Sequence, residues 1–186
     1  MMETRNARAD DSDKRALIKR LRYLWTGELF NVFYLPAMAL LVARSLGEAP
    51  GLFAIYSAAL AVWLLLQGAA YWLLKLRAVK TDSDIERKHL RWFAAFKRMN
   101  WALIALLPTL LVIKALVGTP FRSSVDVVIG LGFYVLAVLE QVNYYHYQLM
   151  YDYRSDLRRL RREKRLKRSS LYRALERLDQ RASWLK

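Results

Sequence analysis

A few polar side chains interrupt the apolar parts of this 186-residue sequence, at positions where they could support chemistry. Glu140 lies in an otherwise apolar run, and Asn143, Tyr144 and Tyr147 follow it three, four and seven residues later. This spacing places the four side chains on one face of a helix. A carboxyl group inside a membrane is costly unless it is paired or protonated, so Glu140 is a candidate functional residue.

Polar residues also occur at matching positions of the other apolar runs, in the half that the charge distribution assigns to the cytoplasmic side. The predicted intramembrane cluster comprises Glu28, Asn31, Tyr34, Gln67, Tyr71, Asn100, Glu140, Asn143, Tyr144, His146 and Tyr147. One hypothesis is a polar cavity that opens to the cytoplasm between these helices. The alternative is that the cluster only joins helix to helix, with Glu140 paired to Lys97 or Arg98. The sequence leaves both open.

The sequence gives little support for a metal or cofactor site. The chain has no cysteine, which excludes disulfides, thiol nucleophiles and cysteine-ligated metals. His146 is six residues from Glu140, so the two side chains point to different faces of a helix and form no ready metal pair. We therefore predict no cofactor, no metal and no catalytic site.

Four long apolar runs must position these residues. The clearest, Gly51–Leu74, has 24 residues without a charge, whereas about 20 helical residues cross a hydrocarbon core of about 30 Å. The sequence predicts an all-α polytopic membrane protein, a four-transmembrane-helix bundle over residues 28–151. The predicted spans are residues 28–44, 51–74, 99–117 and 121–148, with a cytoplasmic loop at 75–98.

The basic residues are distributed very unevenly around these spans. Of 31 lysines and arginines, 28 fall in the N-terminal segment, the middle loop and the tail, and three fall near the other two loops. The positive-inside rule therefore predicts that both termini are cytoplasmic. We expect a bacterial inner (plasma) membrane from the small size, the short outer loops and this charge distribution.

The basic segments have amphipathic patterns. Residues 1–27 and the loop before span three are predicted to hold helices that lie in the headgroup layer and then turn into the spans. Ser83 and Glu86 have the spacing of a capping box. In the basic tail, residues 152–186, Ser169 and Ser170 are predicted to cap a short helix that holds Leu171, Leu175 and Leu178.

The net charge of +15 predicts an anionic partner. The predicted lipid- or phosphate-binding residues are Arg158, Arg159, Arg161, Arg162, Lys164, Arg165, Lys167 and Arg168. Anionic lipid of the bilayer is favoured over nucleic acid, because the sequence shows no fold that reads bases.

Three classes of function remain. The first is a small scaffold or accessory subunit whose basic cytoplasmic face binds anionic lipid and a protein partner. The second is an oligomeric channel, transporter or pore-forming effector with a polar cavity around Glu140. A membrane enzyme acting on lipid ranks last, because the sequence has no pair of catalytic groups and no metal motif. The sequence does not decide between a homo-oligomer and a complex with a membrane partner protein.

Overall fold

The computed structural model describes residues 2–117, 123–150, 158, 161–162 and 165–184. Its helices are α1 (Met2–Ser45), α2 (Leu52–Thr81), α3 (Ile85–Val117), α4 (Ser124–Tyr145) and α5 (Ser170–Trp184). No strand occurs among these residues, which confirms the all-α prediction. The predicted start of span four, residue 121, lies outside the described residues.

Four of the helices are long and apolar enough to cross a membrane. The candidate spans are Asp11–Ser45, Leu52–Thr81, Lys88–Val117 and Ser124–Tyr145. Large apolar side chains on them stay exposed: Phe33 is 69% exposed, Leu116 82% and Val128 70%. Apolar surface of this extent on every long helix fits contact with acyl chains better than contact with water.

The helices α1 and α3 do not turn at the boundary between their basic and apolar parts. We expected interfacial helices that end before spans one and three, but each helix continues without a break. The reason is local, because no proline lies near either boundary. The weakest helix formers there, Gly27 and Asn100, are not enough to end a helix. Pro36 and Pro108 lie deeper, inside helices that continue past them.

The predicted capping box at Ser83 is also absent. The Ser83 N–H donates to the carbonyl of Ala78, which closes the end of α2. The Glu86 carboxyl instead accepts a hydrogen bond from the Tyr71 hydroxyl at 3.1 Å. A tertiary contact has therefore replaced the local one.

The helix α2 lies at the centre of the fold and packs against α1, α3 and α4. Its small residues Ala54, Ser57 and Ala61 are fully or almost fully buried, as expected for a face that lets helices approach closely. A core of Leu60, Leu64, Ile104, Phe133 and Ala137 fills the space between α2, α3 and α4.

A buried carboxylate fixes one end of α2 to α4. Asp126 is 1% exposed, and its Oδ1 accepts a hydrogen bond from the Ala54 N–H at 2.9 Å. It therefore caps the first turn of α2, where amide groups lack partners within their own helix. Gly51 makes room for this contact, because a Cβ at that position would overlap the Asp126 carboxylate.

The short helix α5 packs against the opposite end of the long helices. Leu171, Ala174 and Leu175 are buried and form one core with residues of α2, α3 and α4 that include Tyr71, Phe93 and Tyr145. Ser169 caps α5 as predicted, since its Oγ accepts the Tyr172 N–H at 3.0 Å. We call this end of the molecule the α5 end.

Candidate functional site

The predicted polar cluster separates into two groups in the structure. The first is an amide network of Gln67, Asn100 and Gln141, which are 5%, 0% and 0% exposed. Asn100 Nδ2 donates to Gln67 Oε1 at 2.9 Å and to Gln141 Oε1 at 3.0 Å. Asn100 Oδ1 accepts from Gln67 Nε2 and from Trp63 Nε1, both at 3.1 Å.

This network joins α2, α3 and α4 and leaves little capacity for a ligand. Gln67 Oε1 also accepts from the Tyr145 hydroxyl at 2.6 Å, and Gln141 Nε2 donates to the Lys97 carbonyl at 3.2 Å. Buried amide side chains that are hydrogen-bonded to neighbouring helices in this way hold the helices together. For Gln67 and Asn100 the helix-to-helix alternative therefore fits better than the cavity hypothesis.

The second group surrounds the Tyr144 hydroxyl. Tyr144 is 3% exposed and Glu28 is 9% exposed, and within the described residues neither the Tyr144 hydroxyl nor Glu28 Oε2 makes a hydrogen bond of good geometry, although the two groups lie close enough for a weak one. The carboxyls of Glu28 and Glu140 lie near enough to each other, and to the Tyr144 hydroxyl, to interact electrostatically. Tyr144 fits here because α2 has Gly68 at the facing position, where a Cβ would overlap the phenol ring.

Glu140 forms no ion pair with Lys97 or Arg98 in the part of the chain that the structure describes. Among the described residues, its carboxylate accepts a long hydrogen bond from Asn143 Nδ2 at 3.4 Å, and the Tyr144 hydroxyl lies near it. Asn143 Oδ1 in turn accepts the Leu149 N–H at 2.9 Å and so closes the chain after α4.

Two cavities meet beside this group. The first, which we call the basic cavity, has a volume of about 230 Å³. It lies between the N-terminal half of α1, the C-terminal part of α2 and the start of α5. Four cationic side chains line it: Arg20, Lys75, Lys167 and Arg173.

The second cavity, the α1–α4 cavity, has a volume of about 590 Å³ and apolar walls that include Phe30, Leu136 and Leu139. Asn31 and Glu140 add polar groups to it. The two cavities share Glu28 and Asn143 among their lining residues, so these side chains lie where the cavities adjoin. The basic cavity is at the α5 end, and the α1–α4 cavity has apolar walls between the long helices.

A hydrogen-bonded group fixes the wall of the basic cavity. Lys75 Nζ donates to Ser170 Oγ at 2.5 Å, and the Tyr71 hydroxyl bonds the same oxygen at 3.0 Å. The Lys75 ammonium also lies over the rings of Tyr71 and Trp72, 5.6 and 5.9 Å from their centroids. The first residue of α5 is thus tied to the face of α2 that carries Tyr71 and Lys75.

The other predicted residues of the cluster lie outside this group. Tyr34 is 45% exposed and belongs to α1, where Phe30 stacks on its ring at 5.0 Å. His146 Nε2 accepts a hydrogen bond from Trp101 Nε1 at 3.4 Å. The Tyr147 ring lies against the Arg168 guanidinium, 4.6 Å away.

The predicted basic residues of the tail also lie in different surroundings. Arg158, Arg161, Arg162 and Arg165 are exposed, whereas Arg159 and Lys164 lie outside the described residues. Lys167 lines the basic cavity, and the Arg168 guanidinium lies between the rings of Tyr147 and Tyr172, 4.6 Å from each. Two backbone bonds hold this segment to the end of α4, from Gln148 N to Lys167 O and from Ser169 N to His146 O.

Sequence reasoning counted Lys75 and Arg173 only as loop and tail charges and so missed their place in the basic cavity. One local signal existed for Lys75, which follows Tyr71 by four residues and shares its helix face. No comparable signal existed for Arg173, because only the docking of α5 brings it there. No family model matches the chain, and the curated proteins and solved structures contain no match to it.

Proposed function

We propose that this chain is a four-helix integral membrane protein, a scaffold or accessory subunit whose basic end binds anionic lipid in a bacterial inner membrane, with both termini in the cytoplasm. The observation that carries the proposal is the convergence of the basic segments on the α5 end. Lys14 of α1 pairs with Asp82 after α2 at 3.8 Å, and Lys97 of α3 lies over the Tyr172 ring of α5 at 5.5 Å.

Electrostatics explains why such an end would bind lipid. Each basic residue near an anionic leaflet contributes roughly 1 kcal/mol of attraction, and this decays within a Debye length. The exposed Arg158, Arg161, Arg162 and Arg165 form a dense group of this kind. A protein held this way would concentrate anionic lipid around itself and offer the remaining basic surface to a partner.

Sidedness is tested with introduced cysteines, because the chain has none of its own. Ser45→Cys lies at the end of α1 away from α5, and Lys80→Cys lies at the α5 end; both positions are exposed. In intact cells an impermeant maleimide should label Ser45→Cys, and Lys80→Cys only after lysis. The reverse pattern contradicts cytoplasmic termini, and labelling of neither position before lysis contradicts insertion of the chain across the membrane.

Lipid binding is tested on the full chain, purified in neutral detergent and analysed by native mass spectrometry with phosphatidylglycerol or phosphatidylcholine. The wild type should retain more phosphatidylglycerol, with less retained as salt rises. The triple change Arg161→Gln, Arg162→Gln and Arg165→Gln should reduce that preference, whereas Arg44→Gln, an exposed cation at the other end, should leave it unchanged. Equal retention of the two lipids by the wild type contradicts the proposal.

A second candidate function is an oligomeric channel or transporter. The observation that favours it is the α1–α4 cavity, where Glu28 and Glu140 stand without cationic partners among the described residues. Native mass spectrometry in lipid nanodiscs separates the two functions. A homo-oligomer whose proteoliposome ion flux falls in Glu28→Gln supports the channel, and a single copy bound to a defined partner supports the accessory subunit.

A further inference from the structure

We propose that the basic cavity is a binding site for one phosphate group, carried by a phospholipid headgroup or by a soluble phosphate compound. The site deepens the proposed function, and its lipid form rests on that function. It differs from the exposed arginines because its cations converge on one partly open cavity with defined lining residues.

The positive charge of the side chains that line the cavity favours an anionic ligand. Arg20, Lys75, Lys167 and Arg173 line it, and Glu28 is the one carboxylate among its described lining residues. Lys75 is repelled by Arg173, Arg177 and Arg20 and attracted by Glu86. Lys75 and Arg173 form no ion pair within the described ranges, so an incoming phosphate would attract both cations and relieve the repulsion between them.

The start of α5 adds to this preference. The helix begins at Ser170, whose hydroxyl lines the cavity, and it runs for 15 residues. The positive end of its dipole favours an anion close to Ser170. Lysine and arginine side chains beside a helix start are a common arrangement for holding phosphate oxygens.

An independent observation points to a ligand. Tyr144 lines the same cavity, and its buried hydroxyl lies beside the carboxyls of Glu28 and Glu140 without a hydrogen bond of good geometry among the described residues. A buried hydroxyl without a well-aligned acceptor is unfavourable, so this donor is expected to gain a better one when the cavity is filled. The volume of about 230 Å³ is many times the ~10–15 Å³ that one water needs.

Glu28, which lies beside Tyr144, narrows the class of ligand. Its Oε2 is buried without a hydrogen bond of good geometry in the described part of the chain and can accept one. A ligand with a hydroxyl group beside its phosphate, such as a glycerol phosphate headgroup, could donate that hydroxyl to Glu28 while its phosphate meets the cationic side chains. The adjoining α1–α4 cavity, with Phe30, Leu136 and Leu139, offers apolar space where a lipid chain could lie.

The test uses the full chain in neutral detergent, with phosphatidylglycerol, glycerol 3-phosphate and inorganic phosphate as probes. Binding is measured by calorimetry for the soluble probes and by native mass spectrometry for the lipid. Lys75→Gln with Arg173→Gln should weaken binding about ten-fold or more, as for a lost hydrogen bond to a charged group. The matched control, Arg44→Gln with Lys80→Gln, removes two exposed cations outside the cavity and should change the affinity less than two-fold.

Tyr144→Phe keeps the test decisive if the first variant fails to fold. It removes only a hydroxyl that makes no hydrogen bond of good geometry in the described residues, and it should weaken binding about three- to ten-fold at an unchanged unfolding midpoint. Equal losses in the cavity variant and the control, with no effect of Tyr144→Phe, would overturn the cavity site and leave surface lipid binding intact.

The probes separate the two sources of phosphate. Retention of one phosphatidylglycerol that glycerol 3-phosphate does not displace supports a lipid ligand. Saturable binding of glycerol 3-phosphate, with competition against the lipid, supports a site that takes soluble phosphates too. If neither soluble probe binds and the cavity variant retains phosphatidylglycerol as the wild type does, the cavity site is wrong, while the arginine variants above still decide the proposed function.

Discussion

The amide network at Asn100 allows a stability prediction with a worked magnitude. Asn100→Leu keeps a side chain of similar size but removes four hydrogen bonds, at 2.9, 3.0, 3.1 and 3.1 Å. Hydrogen bonds between membrane helices contribute on average about 0.6 kcal/mol each, so four of them predict a loss of about 2–3 kcal/mol. The loss falls between α3 and its neighbours α2 and α4.

A matched substitution controls for hydrophobicity. Asn31 has no side-chain hydrogen bond within the described residues and lines the α1–α4 cavity. Asn31→Leu should therefore change the free energy of unfolding by less than about 0.5 kcal/mol, the usual range for a site without special contacts. The assay is reversible unfolding by sodium dodecyl sulfate in mixed micelles, followed by tryptophan fluorescence.

A double substitution tests whether the network acts as a unit. Gln67 and Asn100 share two of the four hydrogen bonds, so Gln67→Leu with Asn100→Leu should cost about 1 kcal/mol less than the sum of the single changes. Strict additivity would show that the two amides act separately. Equal stability of Asn100→Leu and Asn31→Leu would refute the structural role of the network altogether.

Two further predictions concern close contacts of α2, measured by the same unfolding assay. Asp126→Ala should destabilise the chain by about 1–2 kcal/mol, the usual cost of a lost helix cap. Asp126→Asn should retain most of the stability because its amide oxygen can still accept the Ala54 N–H. An effect of Asp126→Asn as large as that of Asp126→Ala would argue against a cap. Gly68→Ala should lower the free energy of unfolding by about 1–3 kcal/mol because the new Cβ would overlap the Tyr144 ring. Gly132→Ala, whose Cβ would meet nothing within 4 Å, should be neutral or stabilising. Equal effects of the two alanines would place the Tyr144 ring elsewhere.

The same two glycines show how far the candidate site could be predicted from sequence. Periodicity correctly placed Asn143, Tyr144 and Glu140 near one another, because a helix fixes which residues share a face. It could not show that Gly68 lies opposite Tyr144 while Gly132 meets nothing, because that depends on how α2 and α4 are rotated about their axes. The division of the cluster into an amide network and a cavity group follows from the same rotation.

The sequence by itself determined the features that depend on local chemistry. The long apolar runs form helices long enough to span a bilayer, and Ser169 caps α5 because its hydroxyl reaches an amide three residues away. Only the tertiary structure decided the features that depend on distant partners. Glu86 bonds Tyr71 instead of the start of its own helix, and Lys75 meets Ser170 from 95 residues away. Such contacts form when packed helices exclude water, so each buried polar group takes the partner that the fold brings near it.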